Sequence, residues 1–110
     1  MYLARQGDVL IRQVTKIPAG FNPVKTDDRV VLALGEATGH AHAFHDSRVV
    51  YFREDGAGAG LIGRAFIAVG AGEPAALLHE EHSPVMVPPG KYEVVRQREY
   101  SPEAVRNVSD

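Results

Sequence analysis

The sequence predicts an all-β fold, a small barrel or sandwich of about seven or eight short strands with a short C-terminal helix. Three observations carry this. Runs of Val, Ile, Leu, Tyr and Phe are short, and Gly, Pro and Asp bound them. There are 11 Gly and 7 Pro in 110 residues, so turn chemistry recurs along the chain. No segment before residue 100 keeps a sustained 3.6-residue apolar period, which an amphipathic helix needs.

The runs follow in order. Val9–Val14, Arg29–Leu34, His40–Phe44 and Arg48–Arg53 occupy the first half. Leu61–Val69, Ala75–His79, Val85–Val87 and Tyr92–Arg98 occupy the second. Ile17–Asp28 holds two Pro and a Gly and reads as an irregular connection. Glu54–Gly60 reads as a hairpin loop. Its glycines lack the Lys-Ser/Thr of a phosphate loop and the following helix of a dinucleotide fingerprint. In the tail, Ser101 suits an N-cap and Pro102 the first helical position, with Glu103 at the positive dipole end. The expectation is one all-β domain over residues 1–110, with residues 101–110 short helical or frayed.

Composition removes several function classes. Twelve Lys+Arg against 14 Asp+Glu leave a formal charge of −2, without the basic excess typical of a nucleic-acid binder. The absence of Cys removes disulfides, thiolate metal sites and Cys nucleophiles. No apolar run reaches the 18 or so residues of a membrane span, and the first residues do not read as a signal peptide. The cytoplasm is the expected compartment.

All five histidines fall in two windows, His40–His45 and His79–His82. On a strand, His40 and His42 project from one face and form a two-imidazole arm. Neutral imidazole suits zinc, copper, nickel and iron. His45 falls on the opposite face of a straight strand. His79 and His82 share a side only on a bend, and Pro84 favours a bend at Glu80–Ser83. Neighbouring strands, roughly 4.8 Å apart, would bring the two windows together. His40, His42, His79 and His82 are therefore the candidate ligands of a divalent transition metal, zinc first, with nickel, copper, manganese or iron as other ions. Glu80 and Glu81 add two carboxylates, one of which could serve as an oxygen ligand, a partner to an imidazole or a general base. Glu81 is the candidate general acid/base if the site is catalytic. The other reading is a non-enzymatic interaction or assembly module, with the histidines at a structural site or subunit interface.

Arg96 and Arg98 share a face of the last run, beside Tyr100. That pattern fits an anion grip or a solvated, charge-protected edge strand, and the net charge favours the edge strand. Edge strands also point to a homo-oligomer.

Gly35-Glu36-Ala37-Thr38-Gly39-His40-Ala41-His42 resembles the first motif of the cupins, one residue short between the Gly and the first His. Pro88-Pro89-Gly90 resembles the turn of the second motif, but no His follows it. The resemblance implies a small β-barrel with His40 and His42 as ligands. A second resemblance covers nearly the whole chain. Gln6-Gly7-Asp8-Val9-Leu10, Thr38-Gly39-His40-Ala41-His42, His79-Glu80-Glu81-His82-Ser83-Pro84, Pro88-Pro89-Gly90-Lys91-Tyr92 and Arg96–Tyr100 are similar to a group of small uncharacterised bacterial and phage proteins. It implies a complete protein and supplies no function.

Overall fold

The computed structural model describes residues 1–26, 29–34, 40–54 and 64–96. Ten strands run along them: β1 (Leu3–Gln6), β2 (Val9–Val14), β3 (Phe21–Val24), β4 (Val30–Leu34), β5 (Ala41–Phe44), β6 (Val49–Glu54), β7 (Ala65–Val69), β8 (Ala75–Leu78), β9 (Val85–Val87) and β10 (Gly90–Arg96). No helix occurs among the described residues. The strands form two antiparallel sheets, β1-β2-β10-β7-β6-β3 and β4-β5-β8-β9, and they do not close into one barrel. The all-β expectation holds. The C-terminal helix and the Glu54–Gly60 loop fall almost wholly outside the described residues, as does Arg98.

The core lies between the sheets. Val9, Ile11, Ile67 and Tyr92 of the six-stranded sheet are fully buried with Phe44, Leu77 and Val87 of the four-stranded one. Alternation produces this in β2, where Val9 and Ile11 face inward and Arg12 faces out. At the β1–β9 corner, Tyr2 Oη donates to the Met86 carbonyl at 2.6 Å and its ring meets Tyr92 edge-on. Tyr92 Oη donates to the Pro88 carbonyl at 2.5 Å. On the outer side, Glu93 is buried between Arg12 and Arg64, which bind its two carboxylate oxygens.

Two strands beyond the expected set appear. β1 reads Leu-Ala-Arg-Gln, too short and polar to stand out, and pairing with β2 holds it. β3 lies inside the segment read as an irregular connection. It contains Pro23, which cannot donate to a ladder, and it survives because it pairs only with β6, at a sheet edge. The last strand also departs from expectation. β10 is no edge: it lies between β2 and β7, with Val94 opposite Ile11 on one side and Ala65 on the other. Its Val-Val pair is wanted at the centre of the sheet, and two of its charged side chains, Glu93 and Arg96, are paired with partners of opposite charge.

Candidate metal centre

The site begins with strand pairing. β5 pairs with β8 through Ala43–Leu78 and Phe44–Leu77, so the starts of the two histidine windows flank one ladder. His40 precedes β5 and His42 lies within it. His79 follows β8, and residues 80–82 bend before Pro84, as the sequence implies. The four rings converge. His79 lies 4.3 Å from His42, 4.6 Å from His82 and 5.7 Å from His40, centre to centre. His42 and His82 stack at 5.9 Å. Imidazoles sharing one ion with bonds of about 2.0–2.1 Å have ring centres roughly 5 Å apart. His45 stands apart, on the outer face.

The buried member is His42, 2% exposed. Its Nδ1 lies 2.9 Å from Gln6 Oε1. Gln6 is also buried, and its amide nitrogen donates to the Leu77 and Ser83 carbonyls at 2.8 and 3.0 Å. Both amide hydrogens are thus committed, and the oxygen must face His42. His42 therefore carries its proton on Nδ1 and presents the Nε2 lone pair. That Nε2 is 3.4 Å from Asp8 Oδ1. Burial foremost, and then the positive charge of His79, depress the His42 pKa to about 4, against the pull of Asp8. At neutral pH two lone pairs face each other across a distance that a cation would fill. Ligand atoms on a tetrahedral zinc lie about 3.3–3.4 Å apart.

Asp8 is positioned from the other side. Its Oδ2 accepts from Arg96 Nε at 2.9 Å. Burial pushes its carboxyl up, but the bond and charge of Arg96 outweigh this and hold it below the ordinary value. The Gly7-Asp8 turn of the β1–β2 hairpin fits tightly against the histidines. Gly7 has φ 58°, the left-handed region that a two-residue hairpin turn requires.

The outer half is more exposed. One ligand atom each from His40, His79 and Glu80 lies within 4.8 Å of the others. The Glu80 carboxylate accepts from the Ala41 amide at 3.0 Å, and this bond lowers its pKa. Glu81 Oε2 is 3.4 Å from His40 Nδ1, and the Glu81 amide donates to His79 Nδ1 at 3.0 Å. His79 Nδ1 is therefore occupied, and an ion taking it must displace that amide.

All four candidate histidines thus come together, with Glu80 and Glu81 at the rim. His42 lies in β5 of the four-stranded sheet, and the others lie in the segments just before β5 and just after β8. Gln6, Asp8 and Arg96 reach them from the six-stranded one. Sequence reasoning gave Gln6, Gly7 and Asp8 no site role. Their signal is a Gly flanked by two polar residues in a tight hairpin, which by itself reads as a turn.

A family model covers residues 5–97, from β1 to one residue past β10, and every residue of this cluster falls within it. The chain belongs to the family described as domain of unknown function DUF8820. No curated protein and no solved structure matches it. In this DUF8820 chain, no helix of the described residues is long and apolar enough to cross a membrane.

Proposed function

We propose that the chain binds a divalent transition metal, zinc first, through His40, His42, His79 and His82, with Asp8 and Glu80 as neighbouring oxygens. One observation carries this reading: a buried His42, its tautomer set by Gln6, aims a lone pair at a carboxylate amid three further imidazoles. Imidazole and carboxylate together suit zinc, nickel, copper and iron better than magnesium or calcium. If His79 binds the ion through Nδ1, it gives up its bond from the Glu81 amide. Four imidazoles give a closed structural site. Three with an open position give a catalytic one, in which Glu81 at the rim is placed to exchange protons with a metal-bound water.

Elemental analysis and calorimetry on protein purified without a histidine tag test this. The expected result is one ion per chain and a melting temperature that falls on chelation. His42→Ala and His79→Ala should each abolish that metal-dependent increment, and the double variant should lose no more, because ligands of one ion act as a unit. A melting temperature indifferent to chelator and to added zinc, nickel, copper, manganese and iron overturns the reading. The interaction-module reading then takes its place.

A further inference from the structure

The interior of the sandwich holds a charge that the described residues leave unmatched. Arg53 is 7% exposed, and its Nε and Nη2 are sealed from solvent with no hydrogen-bond partner among those residues. It lies in β6, opposite Asn22 of β3 on one side and Ala65 of β7 on the other. Alternation puts it on the inner side of the sheet with Val49 and Tyr51, and turns the exposed Glu54 to the outer side. Arg cannot shed its proton, so burial does not neutralise it. A buried charge with two idle donors is costly until an anion completes it.

The idle donors have a specific geometry. Nη1 donates to the Tyr51 hydroxyl at 3.2 Å, and the guanidinium carbon lies 6.0 Å from the centre of the Tyr51 ring. Tyr51 therefore fixes one corner of the group. Nε and Nη2 form one edge of the guanidinium, where two N–H bonds run parallel. Such an edge takes the two oxygens of a single carboxylate. One guanidinium balances one negative charge, whereas a dianion would bring a second into the interior.

The β3 end of the six-stranded sheet is the nearest way in. Asn22, which shares the inner side with Arg53, is exposed, and Val24, opposite Tyr51, is 39% exposed. The inner side of β3 thus meets solvent one strand away from the sealed fork, and β3 pairs only with β6. We propose that Arg53 anchors a binding site for a small monocarboxylate, which parts the side chains at this edge and places both oxygens on Nε and Nη2. The site uses none of the histidines and does not depend on the metal reading.

The probe is acetate, compared with chloride and phosphate at equal ionic strength on metal-free protein. In the wild type, acetate should raise the melting temperature by several degrees over chloride, by mass action. It should also move the Arg53 Nε–H NMR signal downfield, as a charge-assisted hydrogen bond does. Phosphate should do no better than chloride. Arg53→Lys keeps the charge without the fork and should weaken acetate binding by about tenfold or more. Arg53→Met removes the unmatched charge, so it should lose the acetate response and, in chloride, melt no lower than the wild type. A wild type indifferent to acetate, equal stabilisation by phosphate, or an acetate response retained in Arg53→Lys each overturns the proposal. So does Arg53→Met melting well below the wild type in chloride, or a wild-type Nε–H signal already downfield there, because the fork would then belong to a carboxylate of the chain itself. If Arg53→Lys fails to fold, the response of the wild-type Nε–H signal to acetate decides.

Discussion

A methyl group on Gly7 would stand 2.7 Å from Nε2 of His82, so the β1–β2 turn and the second histidine window are in direct contact. The same methyl would lie 3.3 Å from Cε1 of His42. Only a residue without a Cβ lets this turn close on the cluster while holding a positive φ.

Gly7→Ala should therefore do two separable things. Backbone strain at φ 58° should cost about 1–2 kcal/mol of stability. Displacement of His82 should weaken zinc binding tenfold or more. Gly20→Ala is the control: it has φ 92° and nothing within 4 Å of the added methyl, so it should pay strain alone. Urea denaturation and calorimetry on both variants read the two effects. Equal zinc affinity in both would show that the turn does not shape the site.

Gln6 should prove to be a positioning residue. Gln6→Met keeps the bulk but leaves the Leu77 and Ser83 carbonyls and His42 Nδ1 without their amide partner. A buried group left unpaired costs about 1–3 kcal/mol. Losing the partner that orients a metal-bound imidazole typically weakens metal binding by about 10–100-fold. Calorimetric zinc affinity should fall in that range, and the His42 nitrogen NMR signals should show a mixture of tautomers. Unchanged affinity with one tautomer retained would assign Gln6 to the fold alone.

Stability should depend on acidity through His42. In the unfolded chain this imidazole gains its proton near the ordinary 6.5, whereas in the fold it does so only at about 4. Between those values the unfolded state holds more protons, so stability falls as pH falls. The contribution is complete above about pH 6.5 and gone below about pH 4, and it amounts to about 3 kcal/mol. Metal-free protein in urea should lose stability across that window, and His42→Asn should flatten the slope there. A slope identical in the variant would mean that other groups set it.

Metal entry should also be visible at a single amide. The Glu81 N–H donates to His79 Nδ1, and an ion taking that nitrogen must break the bond. The Glu81 amide signal should move and its hydrogen exchange should speed up on addition of one equivalent of zinc. The Ala41 amide, which donates to Glu80, reports the other rim contact. An unmoved Glu81 signal at saturating zinc would exclude His79 Nδ1 as a ligand.

Much of this arrangement was legible in the residues. Alternation in Val9–Val14 and the turn residues around each run were enough for eight strand segments, and His40-Ala41-His42 identified a shared face. The bend at Glu80–Ser83 followed from Pro84. The rest depended on partners distant in sequence. β1 and β3 exist because β2 and β6 pair with them, and no local propensity announces them. The central place of β10 depends on a pairing with β2 about eighty residues away, while its charges suggested an edge. Gln6 and Asp8 meet His42 across the gap between two sheets, a relation that spacing along the chain does not encode.

That cross-sheet construction also sets an order of events during synthesis. The ribosome delivers residues 6–8 first, then His40 and His42, then the second histidine window, and Arg96 last. Asp8 waits for Arg96 to hold it, and β2 waits for β10 to lie between it and β7. A nascent chain stalled before residue 90 owns every imidazole of the cluster but lacks the strand that fixes the acidic side of the pocket. The acidic side of the proposed pocket is therefore complete only once β10 has inserted between β2 and β7.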